Sequence, residues 1–334
     1  MASGASRSGA TIELELESHR QALTGYCYRM LGSGFEAEDA VQETMVRAWA
    51  GFDRFEGRSA LRSWLYRIAT NVCVDMLRGP QRRAQPMDLG PSSSAASPLD
   101  AGLPEHHWVQ PVPDARVLPA DTDPAELATL RDTIRLAFVA ALQHLPPRQR
   151  AVLILRDVLH WQAAEVAELL DTSVASVNSA LQRARATLEA ADVAAGGDLP
   201  AGDEQRRLLA QYIDAFERYD ITALVRLLRD DVEFSMPPFA LWLQGPDQVG
   251  EFLVGTGAAC RGSRVLVTAA NGRPAYASYK PSGDGTFNPW ALVVMEMSGD
   301  RISGLHHFLY PELFPAFGLP TQLAAGSNPA PDTT

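Results

Sequence analysis

Lysine is nearly missing from this chain of 334 residues: Lys280 stands alone, and almost all positive charge is arginine. A coding bias explains that, and no function follows from it. Positive charge is short overall, with 29 Lys and Arg against 40 Asp and Glu. This excludes a protein held to nucleic acid by bulk charge, so any DNA contact must be local or assisted by a partner. Cysteine is scarce too. Cys27, Cys73 and Cys260 lie far apart with no C-x-x-C pair, which argues against a disulfide framework or zinc site and fits a reducing compartment. The only adjacent histidines before the C-terminal third, His106 and His107, have no further ligands near them, so neither a metal nor another cofactor is expected. No run of about 18 apolar residues and no charged-then-apolar leader is present, and the expectation is a soluble cytoplasmic chain with no membrane contact.

The length suits two or three domains, each with its own core. The stretch that organises the rest is Trp161 to Arg185. A short apolar-periodic segment, Ala164 to Leu170, breaks at Asp171-Thr172, and a second helix begins with Thr172 or Ser173 available to cap its free amides. Val174, Val177, Leu181, Ala184 and Leu188 share one side of that helix; Thr172, Ala175, Ser176, Ser179, Gln182 and Arg183 share the other. Small residues let a backbone approach closely, and Gln and Arg can pair with base edges or phosphates. Taken alone, this stretch leaves two readings open: a DNA-reading helix-turn-helix, or an ordinary helical hairpin with one polar face.

Upstream, Leu14 to Leu77 is helical nearly throughout. Phe35 to Trp49 places Val41, Thr44, Met45, Ala48 and Trp49 on one face, with acidic residues in the first turn where the helix dipole favours them. After the loop Asp53 to Ser59, a helix from Leu61 to Arg78 is expected to bury Leu61, Trp64, Leu65, Ile68, Val72 and Met76 and to present Arg62, Ser63, Tyr66, Arg67, Thr70 and Asn71. Residues 80–129 turn to Pro, Ser, Ala and acid, the composition of a linker that forms no core of its own. Its aromatic segment His106 to Asp114 reads equally as a docking segment or as a Pro-stiffened extended stretch. Helices resume near Leu130 and, with the helix-turn-helix, make a four-helix unit to about Ala190. Residues 192–202 form a second linker.

Several runs together resemble one family. Glu38-Asp39-Ala40-Val41-Gln42-Glu43-Thr44, the stretch Phe55 to Asn71, and Leu145-Pro146-Pro147-Arg148-Gln149-Arg150-Ala151-Val152-Leu153 match, in order and spacing, the extracytoplasmic-function sigma factors of the sigma-70 family. The resemblance implies an alternative RNA polymerase sigma factor that binds core polymerase through the β′ clamp helices and the β flap, recognises promoter DNA and starts transcription. It implies that residues 10–79 form the region 2 domain. There Asp39, Gln42, Glu43 and Arg47 grip the polymerase, while Phe55, Arg58, Ser59, Arg62, Arg67 and Asn71 open and hold the minus-ten element. Aromatic rings and Arg suit single-stranded DNA. It implies that residues 130–191 form region 4, with Thr172, Ser173, Ser176, Ser179, Gln182 and Arg183 on the minus-thirty-five element. The acidic 80–129 stretch resembles the family's connector through the RNA exit path.

The chain then continues past the length typical of that family. Glu204 to Tyr219 and Ile221 to Leu228 read as helices, and β-prone runs follow at Val232–Met236, Arg264–Thr268, Ala275–Tyr279, Trp290–Met297 and Arg301–Leu309, the last two joined by a hairpin at Ser298-Gly299-Asp300. Helices followed by an antiparallel sheet indicate an α+β domain over residues 203–318, with residues 319–334 a flexible tail. This part resembles the SnoaL-like branch of cone folds. With Met236-Pro237-Pro238-Phe239-Ala240-Leu241-Trp242-Leu243-Gln244-Gly245, the whole resembles the mycobacterial sigma factor G subgroup. The expected fold class is therefore multidomain: two all-α sigma domains, the second a helix-turn-helix unit, then an α+β SnoaL-like cone domain.

The extension is expected to regulate the sigma domains in cis, with an unidentified small ligand as one partner and Phe239, Trp242, Trp290 and His306 as pocket-lining residues. Core packing is the plainer role for those four. No catalytic residues are expected. A cyclase- or isomerase-like enzyme would need an acid/base pair from Asp214, Tyr212, His306 and His307. Adjacent His306 and His307 on one strand face opposite ways, so at most one can enter a pocket.

Overall fold

The computed structural model describes residues 9–52, 55, 60–79, 82–99, 101–119, 123–190 and 202–324. Residues 1–8, nearly all of the expected second linker and the tail beyond 324 lie outside them. Two compact units emerge: one takes Met1–Arg83 and Ala115–Val193, the other Ala84–Asp114 and Ala194–Thr334.

In the first unit, α1 (Gly9–Glu17), α2 (Arg20–Leu31), α3 (Gly34–Gly51) and α4 (Leu61–Met76) form the region expected from the Leu14 to Leu77 pattern. Gly32, at φ 75, ends α2 in the left-handed conformation that its lack of a Cβ permits, and the Ser33 hydroxyl accepts from the Glu36 amide at 3.3 Å to start α3. Val41, Thr44, Met45 and Ala48 are buried as the spacing predicts, but Trp49 is 52% exposed. The polar face assigned to α4 also needs correction. Tyr66 and Thr70 are buried because α4 is covered on two sides. Thr70 Oγ1 shares a 2.7 Å hydrogen bond with Tyr26 OH of α2, and the Tyr66 ring lies 5.1 Å from that of Trp161. Single-face periodicity cannot foresee a second covered face.

After the single turn α5 (Asp114–Val117) come α6 (Pro124–Asp132), α7 (Leu136–Leu142), α8 (Pro147–Leu153), α9 (Ala163–Leu169) and α10 (Val174–Ala190). Asp123 caps α6 through the Ala125 amide at 2.9 Å, so helix resumes earlier than composition indicated. A π-helical turn, Ile154–Val158, extends α8. In this unit α4 packs on α8 and α9, and α2 on α7 and α8. Arg150 of α8 is buried between them. Its guanidinium donates to the Met30 carbonyl of α2, to Gln143 Oε1 at 2.6 Å, and to the carbonyls of Gln143 and Leu145 at 3.2 and 3.1 Å. Burial lowers its pKa to about 10, still charged at neutral pH.

The second unit is built on α11 (Gly202–Glu217), α12 (Ile221–Arg226), β1 (Leu228–Ser235), β2 (Trp242–Gln244), α13 (Pro246–Val254), β3 (Arg264–Ala270), β4 (Arg273–Pro281), β5 (Thr286–Ser298), β6 (Arg301–Phe308), α14 (Leu313–Ala316) and β7 (Leu323–Ala324). The strands run β2-β1-β6-β5-β4-β3, with β7 beside β5. The sheet is mixed, not antiparallel as expected, because β1 lies parallel to β6. A parallel neighbour requires a long crossover, here everything from β2 to β5. The Ser298–Arg301 hairpin closes with Gly299 at φ 59. Phe314 of α14 is fully buried, close to the end of the expected 203–318 domain.

The acidic 80–129 stretch has no core of its own, and its part Ala84–Asp114 borrows that of the second unit. Trp108 is 0% exposed. Val112 N donates to Asn271 Oδ1 at 3.0 Å, Gly272 N to Asp114 Oδ1 at 2.8 Å, Leu103 N to the Pro238 carbonyl at 2.8 Å and Ser93 N to the Trp242 carbonyl at 2.7 Å. Of the two readings of His106 to Asp114, the docking segment describes this arrangement.

Candidate functional site

Two kinds of site arise. In the first unit they are exposed helical faces. Asp39, Gln42, Glu43 and Arg47 project from α3 into solvent, with Arg47 Nε 2.7 Å from Glu43 Oε1. Beside them Val46 is 54% exposed, so this face with Trp49 combines apolar area and charge. Ser173, not Thr172, caps α10: its hydroxyl accepts from the Ser176 amide at 3.1 Å. Val177, Leu181 and Ala184 point inward, whereas Thr172, Ser173, Ser176, Ser179, Gln182 and Arg183 are all exposed. Arg183 Nη1 donates to Ser179 Oγ at 2.7 Å, which orients the guanidinium along the outer face.

The residues assigned to the minus-ten element are divided. Arg58 and Ser59 lie outside the described residues. The Phe55 ring stacks on Trp64 with centroids 4.9 Å apart, and Phe52 meets the same indole edge-on at 6.3 Å. Trp64, expected in the core, is instead part-buried in this aromatic group. Asn71 is exposed on α4, in the cleft that Arg47, Arg67, Arg78 and Arg148 share with Glu168 and Asp171 of α9 and its turn. Arg62 and Arg67 are already engaged: the Arg62 guanidinium lies 4.8 Å over the Trp161 ring, and Arg67 Nη2 donates to the Glu168 carbonyl at 2.8 Å.

In the second unit the site is a partly open cavity of about 220 Å³ on one face of the sheet. Its wall is aromatic and aliphatic, with Phe216 of α11, Phe234 of β1, Phe252 of α13, Tyr276 of β4 and Trp290 of β5 contributing, and Leu99 of the 84–114 segment entering from outside the sheet. Of the four expected lining residues, Phe239 and Trp290 line it. Trp242 and His306 do not, for reasons of register. Trp242 pairs with Ser235, one position from Phe234, and so lies on the opposite face, its Nε1 donating to the Gly90 carbonyl at 2.9 Å. His306 lies on that face too, its Nδ1 2.9 Å from Ser235 Oγ. His307 lines the cavity instead. The opposed histidines follow the alternation; which one enters is decided by a bulge. Met297 pairs with Ile302 but Glu296 pairs with Gly304, so β6 carries one extra residue and the core parity passes from Ile302 to Leu305 and His307.

Thr256, Ser278, Lys280 and His307, with the Cys260 thiol, interrupt the apolar wall. Ser278 Oγ and His307 Nδ1 are buried with no hydrogen-bond partner, a condition that costs about 1–3 kcal/mol each. Burial, with His306 adding to it, holds the His307 pKa down to about 4, so the ring is neutral near pH 7. Lys280, the chain's single lysine, places Nζ 3.3 Å from the Trp290 ring centroid and has the Cys260 thiol beside it. Burial lowers its pKa, and Cys260 opposes that shift. No Asp or Glu is among the lining residues. Asp214 is exposed and pairs with Arg218, and Tyr212 OH accepts from Tyr276 OH at 3.2 Å, so the groups considered for acid/base chemistry do not converge. Among the described residues no His, Cys, Asp and Glu cluster could hold a metal, and no helix is long and apolar enough to cross a membrane.

Comparison with known proteins places family descriptions on the first unit: Sigma-70 region 2 matches residues 16–83, and Sigma-70 region 4 matches residues 135–188. The chain is 46% identical over 311 residues to the ECF RNA polymerase sigma factor SigG of Mycobacterium tuberculosis, covering 92% of this chain and 83% of that one. It is 29% identical over 282 residues to SigJ of the same species, covering 81% and 82%. The crystal structure of the extracytoplasmic-function sigma factor SigJ matches 92% of this chain and 100% of its own at a TM-score of 0.59 and 23% identity, a likeness of fold.

Proposed function

The chain belongs to the extracytoplasmic-function RNA polymerase sigma factors of the sigma-70 family, and from that premise we propose how its two units divide the work. Sigma factors bind core RNA polymerase and promoter DNA. In this chain the exposed α3 face with Asp39, Gln42, Glu43 and Arg47 meets the β′ clamp helices, region 4 meets the β flap, and the protein acts in the cytoplasm where polymerase is. Phe55, Arg58, Ser59, Arg62, Arg67 and Asn71 act on the minus-ten element. The outer face of α10 reads the minus-thirty-five element in the major groove.

The observation that carries this reading further is that Arg67 of region 2 is hydrogen-bonded to Glu168 of region 4, with Arg62 over Trp161 beside it. The two promoter elements lie about 25 base pairs apart, roughly 85 Å along B-form DNA. Regions packed side by side cannot reach both. The free chain is therefore closed, with two exposed minus-ten arginines engaged by region 4, and core polymerase opens it by binding each region separately. Closure and net acidity both weaken binding to DNA without polymerase. The second unit regulates this step in cis, because it holds Ala84–Asp114, most of the tether between region 2 and region 4. A tether folded into that unit limits how far the regions part.

The test is reconstitution. Full-length chain with core polymerase should initiate at a defined promoter while the chain alone leaves duplex promoter unbound at physiological salt. Failure to bind core polymerase would sink the proposal, and tight promoter binding without polymerase would indicate a repressor.

A further inference from the structure

The cavity of the second unit has a chemical signature that the sigma reading does not use. Its wall is apolar and aromatic, yet Ser278 and Lys280 stand two residues apart on β4 and so share its inner face, within reach of one small polar group. The Ser278 side chain is 2% exposed and its hydroxyl has no partner. Across the sheet, His307 presents an Nδ1 that also lacks one. Lys280 brings positive charge into a lining that has no carboxylate, held only by the Trp290 ring and the Cys260 thiol. A chain that otherwise uses only arginine places its one compact ammonium at this point. An apolar cavity with unsatisfied donors and an uncompensated cation is complementary to an apolar molecule with an anionic end.

We propose that this cavity binds a small aromatic or cyclic monoanion, a single ring with a short carboxylate-bearing arm, its ring among Phe234, Phe252 and Tyr276 and its carboxylate between Lys280 Nζ and Ser278 Oγ. Size supports one ring: benzene fills a cavity of about 150 Å³, and this one is about 220 Å³. Leu99 contributes to the wall from the tether segment, so an occupant touches the segment that connects regions 2 and 4. The inference rests on the regulatory reading of the second unit only for its effect on transcription; binding stands by itself.

Titration calorimetry on the full-length chain tests it with phenylacetate, its neutral isostere 2-phenylethanol, and acetate as a ringless anion. Phenylacetate should bind at least about tenfold more tightly than 2-phenylethanol, the discrimination expected of a charge-assisted pair out of water, and acetate should not bind. Lys280→Met should bring the two aromatic ligands within about twofold, and Lys280→Arg, which keeps charge and fold, should retain the preference for the anion. Val293→Phe, which fills the cavity from β5, should abolish both. Equal affinity of the two ligands for the wild-type chain, no binding of either, or an anion preference that survives Lys280→Met would each overturn the proposal. Run-off transcription with and without phenylacetate is read separately, so a bound but silent ligand would contradict the regulatory reading and leave the binding site standing.

Discussion

The first unit carries its functional side chains outward on helices, and the second turns its own inward from a sheet. Asp39, Gln42, Ser176 and Arg183 meet solvent, as their proposed contacts with polymerase and DNA require. Ser278, Lys280 and His307 face a cavity too small for anything but a small molecule. Helical faces that read DNA need exposure and residue type, both of which survive modest shifts in packing. A cavity wall depends on strand register, where one extra residue exchanges His306 for His307. The units are thus expected to respond to mutation in opposite ways: the first through lost contacts with partners, the second through lost packing.

The largest break in that contrast is expected at Trp108, a tether residue inside the second unit. Trp108→Ala should remove about 3–5 kcal/mol from that unit. Hydrogen exchange should show β1, β2 and the 84–114 segment losing protection while α2, α3 and α4 keep theirs; loss spread evenly over both units would erase the distinction. Next is Arg150→Met, which strips donors from the Met30, Gln143 and Leu145 carbonyls and should cost about 3 kcal/mol in the first unit alone, read as a lower denaturation midpoint there.

A third effect comes from protons. His307 has a folded pKa of about 4 against about 6.5 unfolded, so below pH 6.5 the unfolded chain binds the proton first. Stability of the second unit is fully present above pH 6.5 and falls as pH drops, by about 2 kcal/mol at pH 5, levelling off below pH 4. His307→Phe should flatten that segment of the profile measured by denaturant unfolding; an unchanged slope would mean the ring is not buried neutral. The smallest expected change in stability, near zero, is Arg183→Ala. Its effect is instead about tenfold less transcription from promoters that depend on the minus-thirty-five element, with core binding intact; an equal loss of core binding would mean that the α10 face meets polymerase.

Legibility in the sequence follows the same division. The helices of region 2 and region 4, the α10 cap and its exposed face were readable because period, capping and residue type coincide there. Trp49, Tyr66 and Thr70 were misjudged where a helix meets two neighbours or none, information that lies on other helices. In the second unit the strands were readable as β-prone runs, whereas the parallel β1–β6 pairing depends on contacts between residues some 70 positions apart, and the β6 bulge falls inside a hairpin whose strands carry no residue-type signal for it. Ser278 lies in the expected Ala275–Tyr279 strand and Lys280, the chain's one lysine, falls one residue past it; only the observed strand, Arg273–Pro281, puts both on one face. The tether's composition suggested no core of its own; its part Ala84–Asp114 groups with the second unit, with Ala95 in that unit's core.

The account depends most on closure of regions 2 and 4 in the free chain and their separation on polymerase. Labels placed by site-specific incorporation at positions 46 and 179, both exposed, allow that distance to be followed by single-molecule energy transfer. A single short-distance population for the chain alone, moving to a separation on the order of 60 Å or more when core polymerase and promoter DNA are added, is the predicted result. A distance that does not change on holoenzyme formation, or a free chain already as extended as the bound one, would contradict it.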